Sequence, residues 1–253
     1  MREKSRINND EMLKLFCEKI DLFPLIKYED KILYDYYDHN SFCLASNRNA
    51  EETKELILGA FNYQLYNAKN FLKVESYEPL TIDGIVKSKY FYYTHIVTMA
   101  LIKELNIEVN NEIEIVSLKE YDCCKDIIKL ELEEYGQSYG EDFVKRKVDY
   151  LTHKAQILDG FDYWAVLYNK KVVGYCYSYQ NKDSILIDNL LIAQDYRKQH
   201  IASSLINHIN KISGEKVVML HADKDNYPYS IYKKLGFEVI DNIYEYLWVG
   251  LQK

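Results

Sequence analysis

The stretch DYRKQHIASSL, Asp195 to Leu205, sets an arginine, a short loop, small residues and an apolar helical run in the order of a phosphate cradle. A helix start offers several N–H groups without intrahelical partners, together with the positive end of the helix dipole, so backbone matters there more than residue type. Where the backbone must lie flush against a diphosphate, glycine is the expected third residue after the arginine, and this chain has His200. Any non-proline residue supplies the same N–H, and helical backbone angles demand no glycine. The expected cost of His200 is therefore steric: its β-carbon pushes a bound diphosphate outward, weakening binding without abolishing it. Its imidazole either lies outward or meets a phosphate oxygen.

The remaining reactive side chains show no comparable arrangement. Cys17, Cys43, Cys123, Cys124 and Cys176 contain no CxxC pair and read as free thiols in a reducing compartment. His39 in YDYYDH and His221 in LHAD lack the spacing of metal corners, so no metal is expected. The chain has 253 residues and is 48% hydrophobic, enough for one large domain or two small ones. Its 39 acidic against 32 basic residues give a net charge of -7, which argues against nucleic acid or an anionic membrane as partner. The polar start MREKSRINNDEMLKLF has no signal-like apolar run, and no stretch approaches the roughly 20 apolar residues of a membrane span. A cytoplasmic protein is expected.

The elements that must position the loop follow from periodicity. In the first half, NDEMLKLFCEKI, with Asn9 as cap, and AEETKELILGAFNYQLYN read as helices, and SFCLAS, NFLKVESY and YFYYTHIVTMAL as strands. The polar segment KELNIEVNNEIEI, Lys103 to Ile115, reads as the boundary between two folded regions. Beyond it come a strand EIEIVSL, helices KEYDCCKDIIKLELEEYG and GEDFVKRKVDYLTHKAQ, and strands DYWAVLY and KVVGYCYSY about a tight NKK turn. Strand SILIDNLLI precedes the loop. Helix IASSLINHINKIS, strand KVVMLHA, helix PYSIYKKLG and two terminal strands around FEVI and YEYLWVG complete the order β-α-α-β-β-β-α-β-α-β-β.

That order, with LLIAQDYRKQHIASSLI and DNYPYSIYKKLGFE, resembles the GNAT family of acetyl-coenzyme A-dependent N-acetyltransferases over about residues 112–249. The family signature reads R/Q-x-x-G-x-G/A. Arg197 and Ala202 match it and His200 does not, while Tyr232, Gly236 and Phe237 supply the Tyr-x-x-x-Gly-Phe that follows. The resemblance implies an α+β fold, with a GNAT-like mixed central sheet flanked by helices in residues 111–253. Residues 1–110 form a smaller α/β domain that reads as a degenerate GNAT copy, since tandem members keep the cofactor motif in one half and YYDHNSF is similar to a stretch of such two-domain bacterial proteins.

The same resemblance implies roles for individual residues. The N–H groups of Arg197, Lys198, Gln199, His200, Ile201 and Ala202 face the diphosphate of acetyl-coenzyme A, and Ser203 adds a hydroxyl. The main chain at Leu190 and Ile192 pairs with the pantetheine arm and polarises the thioester carbonyl. Asp188, expected on one face with Leu190 and Ile192 because strand side chains alternate, takes the proton of the attacking amine directly or through water. Tyr232 protonates the departing thiolate. Glu131, Glu134 and Tyr135 end a helix where family acceptors approach, and read equally as a solvated helix face.

The leading function is transfer of acetyl from acetyl-coenzyme A to a primary amine, on a small molecule or peptide, by direct attack in a ternary complex. No nucleic acid and no membrane partner are expected, and a homodimer is compatible with the sequence. The alternative is a non-catalytic acyl-coenzyme A sensor, which His200 favours. Aminoacyl transfer from a charged tRNA on paired GNAT-like halves is opposed by the net acidity and by the surviving coenzyme A motif.

Overall fold

The computed structural model describes residues 1–22, 24–44, 48–80, 91–102, 105 and 107–250. Residues 45–46 of the expected strand SFCLAS, Tyr90 of the expected strand YFYYTHIVTMAL, and residues 103, 104 and 106 of the expected boundary lie outside them. The chain divides into two compact units, one of Met1–Thr98, Ala222–Tyr229 and Val239–Lys253, the other of Met99–His221 and Ser230–Glu238. Among the described residues, no helix is long and apolar enough to cross a membrane.

The first unit holds helix α1 (Arg2–Phe16), strands β1 (Glu18–Leu22), β2 (Leu25–Glu29) and β3 (Ser41–Leu44), helix α2 (Ala50–Tyr66), strand β4 (Phe71–Ser76) and most of β5 (Phe91–Leu101). Strands β1, β2 and β3 are successively antiparallel, and β3 runs parallel to β4 because α2 carries the chain back between them. Asn49 caps α2 by accepting the Glu52 N–H at 2.9 Å. Ile57 and Ala60, one helical turn apart, pack on Phe42, Leu44, Leu72 and Val74.

The second unit holds strand β6 (Ile113–Ser117), helices α3 (Cys124–Tyr139) and α4 (Glu141–Ile157), strands β7 (Phe161–Tyr168), β8 (Lys171–Gln180) and β9 (Ser184–Ile192), and helix α5 (Ile201–Ser213). Strand β10 (Val217–Asp223), helix α6 (Tyr227–Lys234) and strand β11 (Phe237–Val249) each contribute residues to both units. Strands β6 to β9 are successively antiparallel, and β9 is parallel to β10 with α5 as crossover. At the β7–β8 turn, Asn169 and Lys170 take φ of 50° and 64°, the pair of positive values that a two-residue hairpin loop with matching twist requires. The sequence β1-β2-β3-α2-β4 thus repeats β7-β8-β9-α5-β10, three antiparallel strands followed by a helix and a parallel strand. The fold is the mixed α and β class that the sequence implied.

Three local expectations are corrected. The first helix begins at Arg2 and ends at Phe16, because Cys17 turns extended and the next five residues pair with β2. Neither β1 nor β2 was legible in the charged, proline-bearing EKIDLFPLIKYE, where cross-strand pairing outweighs local preference. The two terminal strands are one, β11. Its Asp241–Asn242 has turn-like chemistry but stays extended, since buried Asp241 is gripped by Arg6 at 2.6 and 3.0 Å and Asn242 Oδ1 accepts from His95 Nε2 at 2.9 Å.

Helices α3 and α4 are pinned to β8 by a charge network inside the second unit. Glu131 and Lys147 meet at 2.9 and 3.1 Å with both side chains buried, and the Tyr175 hydroxyl donates to Glu131 at 2.7 Å. Removing one member of such a pair strands the other charge, whereas replacing both removes the problem. Lys147→Met is therefore expected to destabilise the protein by about 3–5 kcal/mol in urea unfolding, and the double variant Glu131→Gln/Lys147→Met to recover most of that loss. A single variant as stable as wild type contradicts this description of the pair.

Candidate active site

Strand β9 leads to the loop, and it carries an irregularity that alternation did not anticipate. On β8, Tyr177 pairs with Asp188 and Tyr175 with Leu191, so Asn189 and Leu190 together face the single residue Cys176. Asn189 takes a φ of 50°, a left-handed conformation that asparagine tolerates better than most residues. This one-residue bulge reverses the phase of the strand. Asp188 therefore shares a face with Leu191, Tyr175 and Tyr177, and Leu190 and Ile192 belong to the other face, which corrects the expectation that all three line up. The Asp188 carboxylate accepts the Tyr177 hydroxyl at 3.2 Å and the Asn189 N–H at 2.7 Å. The parallel ladder with β10 covers Ser184–Ile187 against Val217–Leu220 and ends there, so β9 from Asp188 onward has an edge without a β10 partner.

After a one-turn 3-10 helix at Gln194–Tyr196, the backbone passes through Lys198 with φ 64° and His200 with φ 58° and ψ 16° before α5 begins at Ile201. His200 is thus left-handed and not helical. A glycine at this position would meet a conformational demand as well as a steric one, which corrects the premise that the angles impose no requirement. Arg197 has extended angles, and its own N–H already bonds the Gln194 carbonyl at 3.2 Å. Its side chain is also engaged: Nε donates to the Ile192 carbonyl at 2.9 Å and Nη2 pairs with Glu134 at 2.9 Å, tying the end of β9 to α3.

The carbonyls of Gln199 and His200 are engaged. Asn110 donates to the Gln199 carbonyl at 3.0 Å, and the His200 carbonyl accepts the hydroxyls of Ser203 at 2.9 Å and Ser204 at 2.8 Å as well as the Ser204 N–H. The Ser203 hydroxyl also reaches the Glu108 carbonyl at 3.1 Å, so its N–H is the group left to meet a ligand. The N–H groups of Lys198, Gln199, His200, Ile201, Ala202 and Ser203 donate to no acceptor among the described residues. The His200 ring sits 3.2 Å from Glu108, both largely exposed. Sequence reading missed Asn110, whose main-chain N–H also donates to Ser204 at 2.8 Å; its only signal was its place in an asparagine-bearing connector.

Tyr232 lies on α6, whose end is set by Gly236 at φ 101°. Burial, the neighbouring Cys176 thiol and the Asp188 carboxylate together push its phenol up to about 12. Tyr232 and Asp188 are thus brought into one electrostatic environment. Of the three α3 residues, Glu131 is buried against Lys147 and so is no solvated face; Glu134 holds Arg197, and burial raises the Tyr135 phenol.

Replacing His200 with glycine removes the β-carbon from a left-handed position, a relief of about 1 kcal/mol, and keeps the amide array. The variant should unfold at higher urea and bind coenzyme A in calorimetry as tightly as wild type or more so. Weakening beyond about tenfold, 1.4 kcal/mol, would show instead that the imidazole itself holds a phosphate.

With this geometry in view, residues 159–239 match the family model described as Acetyltransferase (GNAT) domain. No curated protein matches the sequence. Among solved structures, a conserved protein of unknown function from Staphylococcus epidermidis is similar at a TM-score of 0.76 and 13% identity, covering 93% of this chain and 95% of that one. A GCN5-related N-acetyltransferase from Kribbella flavida is similar at a TM-score of 0.63 and 12% identity, over 98% and 96% of the two chains. A tandem GNAT protein from the clavulanic acid biosynthesis pathway gives a TM-score of 0.53 and 12% identity over 98% and 96%. At these identities the structures speak to fold alone. The family match falls on the strands, loop and helix that carry the amide array, so residues 159–239 of this chain match the GNAT acetyltransferase domain.

Proposed function

We propose that this chain transfers acetyl from acetyl-coenzyme A to a primary amine of a small molecule or peptide. The observation that carries the proposal is the row of six amides, residues 198–203, at the start of α5 directly after a bulged strand. In this reading the diphosphate takes those N–H groups, and the pantetheine arm lies along the edge of β9 at Leu190 and Ile192 that β10 leaves open. Asp188 takes the proton that frees the amine lone pair. The amine nitrogen then attacks the thioester carbonyl carbon, the carbon–sulfur bond breaks, and the sulfur leaves with the proton of the Tyr232 hydroxyl. The second proton on nitrogen leaves through water as the amide forms and restores the Tyr232 hydroxyl. A phenol near 12 stays protonated through neutral and mildly alkaline solution, so the donor is loaded whenever thiolate forms. Deprotonation disables it only as pH rises through that value, and Tyr232 should contribute no fall in kcat between about pH 7 and 10.

The non-glycine residue at position 200 favours a second reading, an acyl-coenzyme A sensor without turnover. Thiol release from acetyl-coenzyme A on addition of an amine panel separates the two. For the enzyme, a group needed only as charge develops on sulfur affects turnover and spares binding. Tyr232→Phe should keep the fold and the coenzyme A affinity while lowering kcat at least about tenfold, the low end for a general acid that water partly replaces. Wild-type turnover in Tyr232→Phe would make this a packing tyrosine.

A further inference from the structure

We propose that Cys17, Asp30 and His39 of the first unit form a binding site for a zinc-class divalent cation, independent of acetyl transfer. Each offers one ligand atom, and the three atoms lie within 4.8 Å of one another. The residues come from three segments: Cys17 ends α1, Asp30 follows β2, and His39 closes a 3-10 turn before β3. All three are buried, at 6%, 1% and 6% exposure. The spacing in sequence hides the cluster because no two of these residues are near neighbours along the chain.

The ligands are held before any ion arrives. Asp30 Oδ1 accepts the N–H groups of Ile32 at 2.8 Å and Leu33 at 2.9 Å, which aims Oδ2 at His39 Nδ1, 2.9 Å away. Asn40 fixes the same loop by accepting the Asp30 N–H at 3.2 Å and donating to the carbonyls of Leu33 and Tyr36, each at 2.8 Å. The His39 ring is stacked on Phe16 at 5.1 Å and meets Tyr36 edge-on at 5.0 Å. Outer contacts of this kind orient metal ligands and sharpen affinity. The Cys17 thiol points at the same place, 3.2 Å from the His39 carbonyl.

One thiolate, one imidazole and one carboxylate select zinc or cobalt over magnesium or calcium, which take oxygen ligands. Bond lengths of about 2.0–2.3 Å place the ligand atoms of a tetrahedral zinc about 3.3–3.6 Å apart, so shifts of roughly 1 Å complete the geometry and leave the fourth position to water. Binding exchanges the Cys17 thiol proton for the metal, and affinity falls as pH falls. The ion would bind together the end of α1, the end of β2 and the turn before β3.

The test uses the full chain, stripped with chelator and titrated with zinc or cobalt alone. Zinc should bind at one equivalent and raise Tm by about 5 °C or more at a hundredfold excess over Kd. Cobalt should give the near-ultraviolet thiolate-to-metal charge-transfer band. Cys17→Ala should lose both signals, His39→Gln should weaken zinc binding at least tenfold, and Cys124→Ser should keep both. If Cys17→Ala does not fold, His39→Gln and the wild-type band decide. A wild type that takes up no zinc, or a band that survives both Cys17→Ala and His39→Gln, overturns the proposal.

Discussion

Two left-handed residues, Lys198 and His200, govern what the second unit presents to its surroundings. They turn the chain from β9 into α5 within a few residues and leave six successive amides without acceptors among the described residues. An unpaired N–H costs free energy. Two of the carbonyls nearest those amides are engaged elsewhere: Asn110 donates to that of Gln199, and Ser203 and Ser204 donate to that of His200. What remains is a surface of donors at the positive end of a helix, which an anion completes. Arg197 serves this arrangement from behind by tying the end of β9 to Glu134.

The first unit repeats the order of strands and helix without the chemistry. Where α5 opens on bare amides, α2 opens on Asn49, whose side chain already occupies the Glu52 N–H, and its first turn carries Glu51 and Glu52. Carboxylates at a helix start complement the dipole internally and repel a phosphate. Polar groups in this unit are spent on structure instead. Lys73 is buried with Asp38 at 2.7 Å, Glu245 at 2.8 Å and Glu75 at 3.1 Å, and Arg6 holds Asp241. One topology thus supports two electrostatic outcomes, decided by a few residues at a helix start.

Legibility followed the length scale of each feature. Strand β9 and helix α5 have the bounds their patterns predicted, because a nine-residue apolar run and a thirteen-residue amphipathic run each dominate their own conformation. The bulge was invisible because one inserted residue leaves no trace in composition; Asn189, polar in an apolar strand, was the only hint. His200 was misjudged for a related reason: a helix cap has angles of its own, and nothing in HIASS states them. In the sequence Glu131 stands open between an acceptor-facing residue and a solvated one because its partner Lys147 lies on the next helix, and pairing across helices is not written in spacing. Asn110, Cys17, Asp30 and His39 gain their meaning only when distant segments meet.

The central claim is that the diphosphate of coenzyme A sits on the amides of residues 198–203, and amide NMR of the deuterated, 15N-labelled chain tests it directly. Titration with coenzyme A should move the six amide resonances of Lys198 to Ser203 together and saturably, and titration with pantetheine, which lacks the diphosphate, should leave them nearly unmoved. Coenzyme A binding that leaves those six amides in place, or that shifts the start of α2 instead, would contradict the account.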